Sequence, residues 1–94
     1  MTTAYLLTRT GCRACAEARP VKGWLRQMGI AVTELDVGTP EGLAEAAWLD
    51  AADLEALPVL LLHDDAQGEL RRWVGALPSP AQLRRFLLEV SCGA

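Results

Sequence analysis

Apolar positions along this chain follow two periods. Ala4-Tyr5-Leu6-Leu7-Thr8 is a short continuous apolar run closed by Thr10-Gly11, which predicts a buried strand. Val21, Trp24, Leu25 and Met28 then recur at i, i+3, i+4 and i+7, one stripe of a helix. That helix is expected over Cys12 to Met28, with Gly29 as its stop. Pro20 falls inside it and predicts a kink, because it lacks an N–H and crowds the preceding turn. Ala31 to Val37 reads as the second strand, with Val32 and Thr33 β-branched. Thr39-Pro40-Glu41 is a helix opening: a capping hydroxyl, a first-turn proline and an acid that suits the helix dipole. The second helix is expected from Pro40 to about Trp48, and Asp50 to Leu57 leaves room for a further helical turn.

Pro58 precedes Val59-Leu60-Leu61-Leu62, a third strand. Asp64 to Gly68 is a turn cluster, and Glu69 to Gly75 is the fourth strand, so the two form an antiparallel hairpin. Ser79-Pro80-Ala81-Gln82 reads as a capping box, and Leu83, Phe86, Leu87 and Val90 repeat the helical stripe. The order is β-α-β-α-β-β-α, an α/β fold in a single domain over residues 1–94. A βαβ half implies a parallel pair with a right-handed crossover. The strands show little polar alternation, so helices are expected on both faces of a four-stranded mixed sheet.

Composition narrows the partners. The 9 basic and 12 acidic residues give a net charge of −3, which leaves no basic footprint for nucleic acid or an anionic membrane. No apolar run approaches the roughly 20 residues that span a bilayer. The opening stretch from Met1 to Arg9 lacks a basic leader and a long apolar core, so a cytoplasmic, reducing location is expected. The 3 cysteines are too few, and odd in number, for a secreted disulfide framework.

The chemistry concentrates at Cys12-Arg13-Ala14-Cys15, between the first strand and the helix it feeds. Two cysteines at this spacing on a helix start lie one turn apart, within reach of a disulfide. Cys12 stands near the helix N-terminus, where free N–H groups favour a thiolate. Arg13 adds a cation, Arg9 offers another, and Cys15, deeper in the helix, is expected to be the less exposed sulfur. That asymmetry suits an attacking thiolate and a resolving thiol.

These residues resemble the thioredoxin-like superfamily, near its small glutaredoxin and thioredoxin members. The match is carried by Cys12-Arg13-Ala14-Cys15 after the first strand, Pro20 five residues beyond Cys15, and Leu57-Pro58-Val59 at the third strand. Trp73-Val74-Gly75-Ala76-Leu77, followed by Gln82-Leu83, is similar to the thioredoxin ending. The resemblance covers the whole chain and implies a thioredoxin fold without an added N-terminal strand and helix. It implies a dithiol–disulfide oxidoreductase in which Cys12 attacks, Cys15 resolves, Leu57 and a cis Pro58 shape the substrate groove, and Arg13 biases the thiolate. Protein disulfides are then the expected substrates, and thioredoxin reductase or glutathione the electron donor. The redox disulfide Cys12–Cys15 would stand in place of a bound cofactor, and a monomer is expected.

The departures point in two directions. Gly11 replaces the thioredoxin Trp, Arg13-Ala14 replaces Gly-Pro, and Tyr5-Leu6-Leu7 offers no buried carboxylate. Gly75 leads into Ala76-Leu77-Pro78 without the acid of a glutaredoxin turn, whereas Arg9 matches a glutaredoxin lysine that holds glutathione. A glutathione-dependent glutaredoxin is therefore one alternative. A metal- or iron–sulfur-binding module is another, although only His63 and Cys92 remain as further ligands and no metal is expected. His63 is expected at the surface, and Cys92 in an exposed tail after the last helix. Trp24, Trp48 and Trp73 read as packing residues, with Trp48 the first candidate for a partner groove. Arg71-Arg72 and Arg84-Arg85 read as solvated faces.

Overall fold

In the computed structural model, which describes residues 1–52 and 56–92, the elements follow the expected order. They are β1 (Thr2–Thr8), α1 (Arg13–Ala18), α2 (Pro20–Gln27), β2 (Ala31–Asp36), α3 (Pro40–Trp48), β3 (Val59–Asp64), β4 (Gly68–Val74) and α4 (Pro80–Cys92). The sheet order is β2-β1-β3-β4. β1 runs parallel to β2, with Leu6 opposite Glu34, and antiparallel to β3, with Leu6 opposite Leu60. β3 and β4 form the hairpin, with a register irregularity between Leu62 and His63.

The continuous apolar runs of β1 and β3 are divided between two cores, because successive strand side chains point to opposite faces. Ala4, Leu6, Leu60 and Leu62 pack with Val21 and Leu25 of α2 and Leu83 of α4. Leu7, Val59 and Leu61 pack with Leu35 of β2 and Ala46 of α3. Both strands are central and covered on each side, which is why they lack polar alternation. β2 and β4 are the edges and do alternate.

The capping signals work as written. The Thr39 hydroxyl accepts from the Gly42 N–H at 3.0 Å. At the start of α4 the Ser79 N–H donates to Gln82 Oε1 at 2.8 Å, and the Gln82 N–H returns to Ser79 Oγ at 3.2 Å. Gly29 adopts φ +80° after α2, and the Ile30 N–H closes back on the Leu25 carbonyl at 3.0 Å.

Several expectations need correction. The first helix is two helices: Cys12 lies outside α1 as its cap, and the chain breaks at Arg19 so that Pro20 opens α2. Proline cannot donate to the preceding turn, and the Arg19 N–H shifts to the Ala16 carbonyl at 3.3 Å, three residues back. Cys92 is the last residue of α4 rather than part of a tail. His63 is half-buried within β3. Arg72 is not a solvated cation: its guanidinium donates to the carbonyls of Leu49 and Asp50, each at 3.1 Å, and chelates the Glu69 carboxylate. Of the helical turn expected at Asp50 to Leu57, residues 53–55 lie outside the described residues.

Candidate active site at the Cys12–Cys15 helix start

The strand-to-helix turn places Cys12 in an extended conformation (φ −89°, ψ 110°) as the cap of α1. Its sulfur accepts a hydrogen bond from the Cys15 N–H at 3.1 Å. Serine or aspartate oxygens ordinarily do this at a helix start, and here a sulfur takes the role. Cys12 and Cys15 are joined as a disulfide with their Cα atoms 5.2 Å apart. Cys15 is fully buried, while Cys12 is half-exposed. The two sulfurs are thus chemically unequal. The reachable one lies against an unshared backbone N–H, and the other is inside the protein.

The turn is fastened by residues outside the Cys-x-x-Cys motif. The Cys12 N–H donates to the Arg9 carbonyl at 3.2 Å, across Gly11 in the left-handed region (φ +82°). Asp36 at the end of β2 ties the neighbouring loops together. It accepts from the Thr10 hydroxyl at 3.0 Å and the Gly38 N–H at 2.8 Å. Its backbone carbonyl accepts from the Thr39 hydroxyl at 2.8 Å. The visible signal was Asp36-Val37-Gly38-Thr39, an acid two residues before a glycine, which is a side-chain-to-backbone turn pattern.

The cations expected near the thiolate are placed differently from one another. Arg13 is 94 % exposed, and its Nε lies 3.4 Å from the Glu17 carboxylate, one turn along α1. Arg9 is exposed and its side chain passes beside Gly38.

Leu57 and Pro58 lead into β3 through a cis peptide bond, and the Pro58 carbonyl accepts from the Gly75 N–H at 2.8 Å. Pro58 and the α1 residues Ala14 and Ala18 share a hollow of about 280 Å³ with Trp24, Gly75 and Leu77. The tryptophan of this groove is therefore Trp24. Trp48 stands 89 % exposed at the end of α3 and does not line it.

Below α1 and α2, Glu34 of β2 accepts from Lys22 at 2.8 Å and from the buried Thr8 hydroxyl at 2.8 Å, with Arg19 at 3.5 Å. Burial pushes its pKa up, but the hydrogen bonds from Lys22 and Thr8 and the Lys22 charge outweigh that and hold it below the ordinary value. The first strand does lack a buried acid, and the partly exposed Glu34 carboxylate on the neighbouring strand bonds both α2, through Lys22, and β1, through Thr8. Glu69 is also held below its ordinary value, chiefly by the hydrogen bond from Arg72. Among the described residues, no group of three or more His, Cys, Asp or Glu side chains is arranged to hold a metal ion. No helix among them is long and apolar enough to cross a membrane.

The architecture is that of solved thioredoxins. Thioredoxin 1 of Thermosipho africanus superposes with a TM-score of 0.73 at 17 % identity, covering 95 % of this chain and 97 % of that one. Arabidopsis thaliana thioredoxin O2, in its oxidized state, gives 0.73 at 15 % identity over 96 % of this chain and 75 % of that one. Fasciola hepatica thioredoxin gives 0.69 at 20 % identity over 94 % and 79 %. No family model matches the chain, and no curated protein matches it either. The fold is α/β and thioredoxin-like. A Cys-x-x-Cys disulfide stands at the first helix start of this fold.

Proposed function

We propose that this protein is a dithiol–disulfide oxidoreductase acting on protein disulfides. The observation that carries the reading is the inequality of the two sulfurs: half-exposed Cys12 accepts the Cys15 N–H, and Cys15 is buried. An anion at Cys12 Sγ gains more from that N–H than a neutral sulfur does, so the reduced protein holds its thiolate at the accessible position.

In the exchange, the Cys12 thiolate attacks one sulfur of the substrate disulfide. That S–S bond breaks, a Cys12–substrate bond forms, and the first substrate sulfur leaves as a thiolate. Cys15, one turn away, then loses its proton and attacks Cys12 Sγ. The second substrate sulfur leaves, and both substrate thiolates take up protons. Two electrons have passed to the substrate, and the protein is left as the Cys12–Cys15 disulfide. The substrate lies as an extended segment along Leu57 and Pro58, over the hollow that Trp24 and Gly75 line. On this reading Arg9 and Arg13 flank that segment. The reading extends to a monomer in the reducing cytoplasm, with thioredoxin reductase or glutathione returning the electrons.

The test is turnover of a protein disulfide with thioredoxin reductase and NADPH, and separately with glutathione, its reductase and NADPH. Activity in the first system supports a thioredoxin-type role, and activity only in the second a glutaredoxin-type role. Inactivity in both, together with zinc or an iron–sulfur chromophore in the purified protein, overturns the reading in favour of a metal-binding module.

A further inference from the structure

Leu77 and Pro78 wall the hollow beside Pro58, and they also wall a second hollow of about 530 Å³. Trp73 and Phe86 line this second space, with Arg71, Arg85 and Glu89 around it. The Arg71 guanidinium lies 5.1 Å from the Trp73 ring centre and 5.6 Å from that of Phe86. The two rings meet edge to face at 5.7 Å. Aromatic faces thus position this cation while leaving its N–H groups for an acceptor. Among the described residues Arg71 and Arg85, like Arg9, Arg26 and Arg84, have no carboxylate within 4.0 Å, and these two share one hollow. On a chain of net charge −3, this space is lined by two cations and one acid.

We propose that Arg71 and Arg85 form a carboxylate-binding extension of the substrate groove. The favoured partners are then disulfide-bearing protein segments with acidic side chains on the flank that passes Leu77 and Pro78. The inference rests on the exchange function above and adds the chemistry by which substrates are chosen. An apolar partner face would leave both guanidinium groups without acceptors, and a basic one would be repelled by them.

Three peptides with the same disulfide test it: one with glutamines on both flanks, one with two glutamates on the N-terminal flank, and one with two on the C-terminal flank. The full-length reduced protein is mixed with each, and the rate is normalised to that of a small dithiol on the same peptide. One acidic peptide is expected to react about two- to fivefold faster than the glutamine peptide at low salt, as for one or two exposed ion pairs. Salt near 0.5 M should bring that ratio towards one, as screening requires. Arg85→Gln and Arg71→Gln should each reduce it; because Arg71 packs on two rings, Arg85→Gln is the variant expected to fold normally. Equal rates for all three peptides, or a preference that survives both substitutions, would overturn the inference while leaving the exchange function standing. No reaction with any peptide would overturn both.

Discussion

The Arg72 guanidinium donates to the Leu49 carbonyl at 3.1 Å and so ties the outer strand of the hairpin to the end of α3. The same group reaches the Asp50 carbonyl, where the chain turns through a positive φ of 57°. Glu69 holds the guanidinium from the other side. Carbonyls at a helix end have no partner within the helix, and a fixed cation satisfies two of them here. Arg72→Ala should therefore destabilise the protein by about 1–2 kcal/mol, as for hydrogen bonds to a charged group. Urea unfolding measures the loss. Amide hydrogen exchange in the variant should speed up at residues 49–52, just beyond α3, more than within α3 itself.

Gly42 sets the closest approach of α3 to the sheet. A Cβ at this position would overlap the Asp36 carbonyl, which the hydroxyl of Thr39 already engages. Gly42→Ala should force α3 outward and cost about 1–3 kcal/mol, the usual range for overpacking. Gly23 has open space around its missing Cβ and ordinary φ. Gly23→Ala in α2 should instead be neutral or stabilising by up to about 1 kcal/mol. Urea midpoints of the two variants, measured side by side, check the contrast.

Glu34 gives the stability a pH dependence. Its folded pKa is depressed, because Lys22, Thr8 and Arg19 favour the carboxylate more than burial disfavours it. Its contribution is therefore fully present above the unfolded pKa near 4.5 and is lost as pH falls through the lower folded value. Glu34→Gln should remove that part, on the order of 1 kcal/mol at neutral pH for a half-buried group. Unfolding free energies at a series of pH values should show wild type and variant converging in acid. A constant difference down to strongly acidic pH would mean that packing, not charge, is the contribution.

Arg13 separates what the sequence suggests from what the geometry places. A cation between two cysteines suggests a partner for the thiolate, yet its Nε lies beside Glu17 with both side chains exposed. The charge near Cys12 is then partly neutralised, and water screens the remainder. Arg13→Ala should make the protein a stronger reductant by no more than about 10 mV, since roughly 30 mV corresponds to about 1.4 kcal/mol for a two-electron couple. Equilibration against a glutathione buffer measures it, and a shift well above that size would mean that Arg13 turns to the thiolate in the reduced protein.

These cases show where the sequence was readable. The motif, the element order and the helix caps are local, and residues such as Thr39, Ser79 and Gln82 carry their partners within three positions. Pro20 marked a break, but its severity depended on whether Arg19 kept the helical ladder, and it did not. Arg72, Asp36 and Trp24 act through partners far along the chain or across the fold. An arginine beside an arginine looks like a solvated face until α3 supplies carbonyls to one of them. Trp48 and Trp24 are alike as sequence positions. Only the packing of α2 beside Pro58 and Leu77 distinguishes the groove residue from the exposed one.

In the proposed exchange Cys12 is the attacking sulfur, and trapping tests that most directly. Reduced Cys15→Ser protein is incubated with a disulfide-bonded protein, acid-quenched, digested and read by mass spectrometry. Without the resolving thiol, the substrate cysteine should remain disulfide-linked to Cys12, and Cys12→Ser protein should capture little or none. Capture by Cys15 in the Cys12→Ser protein, or the absence of any Cys12 adduct, would contradict the assignment.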